Sequence, residues 1–301
     1  MSKETYSASD LERFKSVQQL AYKAVVHVRG ILKEGMSEKE AASLIDEYLK
    51  VHGVDGFFHY GFAWFGDRTS FTGFQRPLLL PGEWIEQFSP PHFGLEFLPT
   101  NRKLQKGMSV ILDVAPVLDS YSADIGYAFA FGENSEVDRA LVDLEVFRSE
   151  ILKMVLEEKT IAEIYKKTDS MITEMGYKNC HAVYPMGVLA HKVGKIPFTW
   201  LPPTKIMGFQ LQTFAYLFKQ LADETLNGVI NKSPFWSKKT DSKPDFGLWA
   251  VEPHIGKGVI GGKWEEILVV TDSTAYWLDD DLPHVNFWKS QKSTQYKLKQ
   301  K

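Results

Sequence analysis

Four carboxylates in this chain occupy settings where a charge is hard to keep. Asp113 in VILDVAP and Asp124 in YSADIGYAFAF are flanked by apolar residues of strand-forming type. An unpaired charge buried in such surroundings is costly. A turn centred at Leu118 and Asp119 would set the two aspartates opposite one another, with Cβ atoms roughly 5 Å apart. Two facing anions then need a cation between them. The pattern recurs downstream, where Glu252 in WAVEPHIG and Glu265 in KWEEILVV flank a glycine-rich turn near Gly258 and Val259. Any one of these acids alone reads as a salt-bridged strand residue, whereas two such hairpins in one chain point to a shared cation centre. Glu266 competes with Glu265, but adjacent strand residues face opposite ways, and Glu265 is taken as the ligand. His191 in VLAHKVGK reads by itself as a hydrogen-bonded structural histidine and enters as the nitrogen donor the set lacks. His59 in FFHYGF is a weaker candidate for a substrate-side histidine and reads rather as a half-buried residue beside its aromatic neighbours. Oxygen-rich ligation with one imidazole suits Mn, Fe, Co or Zn. Two such divalent ions about 3.5–4 Å apart can hold a hydroxide and polarise a carbonyl.

The elements that must position these groups fall into two similar runs. Apolar residues from Leu11 to Val28 recur at three- and four-residue steps and predict an amphipathic helix. Ser37 and Glu40 form a capping-box pattern opening a second helix that stops near Gly53. Past Glu136 the plan repeats, with a helix through Leu141, Phe147, Ile151 and Val155, then another from Thr160 to near Gly176. Strands are expected at SVILDVAPVL and YSADIGYAFAFG, and again at GLWAVEPHI and WEEILVVT. The result is a weak internal duplication, two helix-helix-sheet halves around one core. Residues 197–245 read as an insertion carrying an aromatic helix around TFAYLFKQLADETL, placed to cap or line a site. Residues 1–285 are expected to form a single domain. The basic polar tail 286–301 is expected to be a solvated end.

Composition narrows the setting. A net charge of −3 and 24% charged residues give no drive toward nucleic acid or anionic membrane. Cys180 is the lone cysteine, so neither an intrachain disulfide nor a thiolate cluster is available. No stretch approaches the roughly 20 apolar residues of a membrane helix, and the N-terminus has no signal-like apolar core. Cytoplasm is the expected compartment.

The segments GMSVILDVAPVLDSYSADIGYAFAFG, LAHKVG, VEP and WEEILVVT together resemble the pita-bread metallopeptidase family, which includes methionine aminopeptidase, aminopeptidase P, prolidase and creatinase. The resemblance implies an α+β pita-bread fold, two pseudo-symmetric halves around a site for two divalent metal ions. By the same resemblance Asp124 and Glu265 would bridge the ions. Asp113 would complete one, His191 and Glu252 the other, and Glu252 would accept a proton from the attacking water. His92 in SPPHFGLEF stands about where the family keeps a substrate-side histidine. Seven residues beyond His191 the family's second histidine is replaced by Phe198, which is expected to point into the substrate pocket. Tyr127 stands in place of the arginine that often follows the second aspartate, and His254 beside Glu252 is a further pocket candidate. The implied function is an aminopeptidase P-like hydrolase of short peptides or small amides, with a homodimer as the implied assembly. Phe198 and Tyr127 keep open a non-peptide C–N hydrolase or lyase, and a fold-retaining binding protein is the third reading.

Overall fold

A computed structural model describes residues 6–74, 95–184, 187–198, 200–226 and 233–299. Two capped helices open the chain. In α1 (Ala8–Ile31) Ser7 and Asp10 exchange capping-box hydrogen bonds, and in α2 (Glu38–Val51) Ser37 and Glu40 do the same. A side chain accepting from an otherwise orphaned N–H fixes where each helix starts.

Strand β1 (Gly56–Phe65) follows, then β2 (Ser109–Leu118), β3 (Tyr121–Ser122) and β4 (Ile125–Ala130). The second half begins with α3 (Ser135–Asp143), α4 (Glu145–Leu156) and α5 (Ile161–Glu174). The single helix expected through Leu141 to Val155 is thus divided at Leu144, whereas Thr160 and Glu163 cap α5 with the same box that starts α2. Next come β5 (Lys178–Asn179), β6 (Ala190–Val193), β7 (Lys205–Ile206), β8 (Phe209–Gln210) and the aromatic α6 (Leu211–Leu226). The chain continues through β9 (Phe235–Trp236), β10 (Gly247–Val251), β11 (His254–Lys257), β12 (Ile260–Val270), β13 (Ala275–Trp277) and α7 (Pro283–Lys299).

One antiparallel sheet joins both halves in the order β7-β8-β1-β2-β4-β12-β10-β6-β9, so β4 and β12 form the seam. Strand alternation sorts its residues between two faces. Val110, Leu112 and Val114 of β2, with Trp264 and Leu268 of β12, pack in the large core that also holds buried residues of α1, α2, α4 and α5. Their neighbours Ile111, Asp113, Lys263 and Glu265 belong to the opposite face. Glu266 accordingly leaves the site and bonds Arg148 at 2.6 Å and His284 at 3.0 Å.

The first hairpin differs in register from the sequence expectation. Its turn is Asp119–Ser120, both at positive φ, and Asp113 faces Gly126 rather than Asp124. Two consecutive positive-φ residues make the turn whose twist matches a tight hairpin. Asp124 lies in the break between β3 and β4. The second hairpin has the expected register: Lys257 pairs Ile260 around Gly258 and Val259, and Val251 pairs Glu266. Glu252 and Pro253 interrupt it between β10 and β11, where proline has no N–H for the ladder.

The basic end is helical rather than a solvated coil. Helix α7 runs across the expected boundary at residue 285, and its Trp288 is buried with its indole N–H donating to the Leu141 carbonyl. No helix among the described residues is long and apolar enough to cross a membrane.

Candidate metal centre and active site

Five chain segments deliver the site. Asp113 comes from the middle of β2, Asp124 from the break after β3, His191 from β6, Glu252 from the break after β10 and Glu265 from β12. All five side chains are buried and line one cavity. The structure therefore brings together every metal ligand expected from the sequence, and it adds two groups.

The first addition is His59. Strand β1 carries register shifts on both sides of it, which put His59 and Phe62 on one face although they are three residues apart, and their rings stack at 4.7 Å. Such bulges re-aim side chains. His59 Nε2 lies 3.2 Å from Asp113 Oδ1 and 3.0 Å from Asp124 Oδ1, while its Nδ1 lies 2.9 Å from the Tyr60 carbonyl. His191 is built alike, with Nε2 at 3.1 Å from Asp124 Oδ2 and Nδ1 at 3.3 Å from the Lys192 carbonyl. A carbonyl only accepts, so Nδ1–H donates in both rings and Nε2 is aimed at the carboxylates, the arrangement by which metal-ligating imidazoles are oriented.

The second addition is Lys263, two residues before Glu265 on the same face of β12. Its ammonium donates to Asp113 Oδ2 at 2.5 Å, Glu265 Oε2 at 2.9 Å and Glu252 Oε2 at 3.0 Å. Gly126 makes room for it, because a Cβ there would lie 2.3 Å from Lys263 Cε.

The electrostatics follow from crowding charge in a dry place. Burial by itself would lower the Lys263, His59 and His191 pKa values, but the surrounding carboxylates outweigh it. Lys263 and His59 end well above their ordinary values, and His191 is pushed up to about 10. Burial pushes Glu252 well up and Glu265 up, reinforced by the neighbouring carboxylates Glu265 and Asp124 respectively. Asp124 goes the other way: burial alone would raise it, yet His59 and His191 hold it well below the usual carboxylate range.

Two overlapping groups, His59–Asp113–Asp124 and Asp124–His191–Glu265, each have ligand atoms within 4.8 Å of one another. Glu265 Oε1 is buried without a hydrogen-bond partner, its nearest imidazole nitrogen 3.7 Å away. A buried carboxylate oxygen with no hydrogen-bond donor, facing an imidazole, is an atom that a bound cation would satisfy. The donor set fits divalent metal.

The remaining expected residues are dispersed. Tyr127, adjacent to Gly126, faces the other way, accepts a hydrogen bond from Arg29 and lines a separate cavity with Trp264 and Trp288. Phe198 is half-buried against the cluster of Phe58 and Tyr216 and is not among the residues lining the carboxylate cavity. His254 stands one step back. Its Nε2–H donates to the Thr69 carbonyl at 2.6 Å and its Nδ1 accepts from the Tyr184 hydroxyl at 2.8 Å, so it orients Tyr184, which does face the cavity. His92 lies outside the described residues. Helix α6 lines the cavity with Thr213, Phe214, Leu217 and Phe218.

The profile of metallopeptidase family M24 matches residues 12–216, and the chain belongs to that family. An uncharacterized peptidase of Staphylococcus saprophyticus is 23% identical over 172 residues, 57% of this chain and 43% of its own length. One from Staphylococcus epidermidis is 26% identical over 172 residues, 57% of this chain and 42% of its own. The chain thus spans under half the length of the curated relatives it matches. Among solved structures, an X-Pro aminopeptidase from Thermotoga maritima superposes with a TM-score of 0.62 at 18% identity, covering 94% of this chain and 64% of that one. A prolidase from Pyrococcus horikoshii does so with 0.60 at 16%, covering 92% and 63%. The fold is the pita-bread fold.

Proposed function

We propose that this chain is a metal-dependent hydrolase of the aminopeptidase P-like type, cleaving short peptides or small amides. The observation that carries the reading is the pair of ligand groups sharing Asp124, with Glu265 Oε1 of the second group unpartnered. Asp113, Asp124, His191, Glu252 and Glu265 would hold two divalent ions, and His59 offers a further imidazole to the Asp113 end. Bound there, such ions supply an activated water and polarise the carbonyl to be attacked. The chain's own residues do the rest. Glu252, as the carboxylate, takes the proton from the attacking water and returns it to the departing nitrogen, and its burial raises its affinity for that proton. The Nδ1–H bonds of His59 and His191 hold both rings in the ligating tautomer. Lys263 offsets part of the charge of four clustered carboxylates. The aromatic walls exclude water, which strengthens each of these interactions.

Stripping the protein, reloading it with Mn²⁺ and counting bound metal tests the reading. Two equivalents are expected, and Glu252→Gln should keep the fold while losing turnover of a short-peptide mixture followed by mass spectrometry. Fewer than one equivalent bound by well-folded protein would favour a binding module instead.

A further inference from the structure

We infer that the substrate taken at this site is a neutral-bodied amide with aromatic or bulky apolar groups, not a peptide presenting a free carboxylate to the cavity. The inference rests on the hydrolase reading above. Every charged group among the described residues lining the cavity lies on its floor: the five ligands, His59 and Lys263. Ten of the other lining side chains are phenylalanine or tryptophan and three more are aliphatic. Two hydroxyls remain, and both are engaged. Thr213 donates to the Phe58 carbonyl, and Tyr184 donates to His254. Lys263 already serves three carboxylates, and the Nε2 atoms of His59 and His191 lie against carboxylates as well.

A substrate carboxylate lying between these walls would find no described donor. Leaving a charge unpaired in apolar surroundings is strongly unfavourable, so the described walls disfavour it. Aromatic side chains at offset or edge-on angles instead present faces and edges to another ring. Phe62 shows the geometry, stacked on His59 at 4.7 Å and edge-on to Phe97 at 5.5 Å. The ring nearest the scissile bond therefore meets the floor through His59 and the wall through Phe62. In the reaction the C–N bond breaks and a C–O bond forms from water. One water proton goes to the leaving amine, the other is released to solvent as the new acid ionises, and the acyl carbon departs as carboxylate.

The test compares phenylalanine anilide with phenylalanine 4-carboxyanilide, which differ in one charge at the far end of the leaving ring. With the Mn²⁺-loaded protein, the neutral anilide should have at least tenfold the kcat/KM of the charged one. Phe218, on α6 and 60% exposed at the cavity edge, allows a gain-of-function variant. Phe218→Arg would supply a cation at the wall and should narrow that ratio to threefold or less. Equal or better turnover of the carboxyanilide by the unaltered protein would overturn the inference. Should neither compound be cleaved, the metal count and peptide-mixture assay above decide the hydrolase reading, and calorimetric binding of the two anilides to the metal-free protein decides the cavity assignment: tighter binding of the neutral one supports it, and no discrimination overturns it.

Discussion

Replacing Lys263 by methionine separates the roles of protein cation and metal cation at this site. The ammonium sits 2.5–3.0 Å from three buried carboxylates, and methionine keeps most of the stem while deleting the charge. Removing one partner of a buried ion pair typically costs about 3–5 kcal/mol, because the other charge is left uncompensated. For 301 residues the unfolding entropy near 60 °C is about 0.6 kcal/mol per degree. Metal-free Lys263→Met should therefore melt about 5–8 °C below the parent protein. In saturating Mn²⁺ the carboxylates regain a counter-charge and the loss should fall to less than half of that. The same argument requires Mn²⁺ to bind the variant more tightly, by tenfold or more, since a competing cation has gone. Melting by scanning fluorimetry in chelator and in Mn²⁺, with calorimetric titration of stripped protein, reads all three. Equal melting losses in both states, or weaker Mn²⁺ binding, would show that Lys263 is scaffold and that metal does not take over its charge.

Three further outcomes follow from the same geometry. Asp124→Asn removes the residue shared by both ligand groups. The Mn²⁺-induced stabilisation, about 2.7 kcal/mol at a hundredfold excess over Kd and read as a rise in melting temperature, should drop below half, and an unchanged rise would argue against metal at Asp124. Glu265→Gln should lower the count of bound Mn²⁺, whereas Glu266→Gln should leave it intact while lowering stability through its bonds to Arg148 and His284; the reverse pattern would mean the strand faces are misassigned. His181 is fully buried, and burial, with Lys263 nearby, pushes its pKa down to about 3. Above the unfolded value near 6.5 it is neutral in both states. As pH falls from there toward 3, only the unfolded chain takes the proton, so stability falls by up to about 1.4 kcal/mol per pH unit. Urea unfolding of His181→Phe between pH 6.5 and 5 should show a slope shallower by that amount, and an identical slope would count against the buried neutral imidazole.

Most of the candidate ligand set was legible in the sequence because a carboxylate in an apolar strand has few explanations, and alternation showed that only one of Glu265 and Glu266 could face the site. The same rule misplaced groups wherever the backbone departs from ideal pairing. Asp113 does not face Asp124, because the hairpin turns through Asp119 and Ser120, one residue later than a turn centred on Leu118 and Asp119. Asp124 meets the other ligands from a strand break rather than from a ladder pair. His59 was undervalued for a related cause: the shifts in β1 rotate it onto the inner face, and no pattern of residue types announces a bulge of that kind.

Lys263 was hidden differently. A lysine in a strand ordinarily carries its charge outward on a flexible stem, and nothing in GGKWEE marks this one as buried. Two features of the sequence do so in combination. Lys263 shares a face with Glu265 by alternation, and Gly126, opposite both Asp113 and Glu265 in the ladder, leaves the gap its stem occupies. Glycine inside a strand otherwise weakens it, so Gly126 has to be explained by what approaches it. The approaching group is a cation from Glu265's own strand, which bonds Asp113, Glu252 and Glu265. A sequence reader who asks of each strand glycine which long side chain it admits would have reached Lys263, and with it the charge balance on which any bound metal must compete.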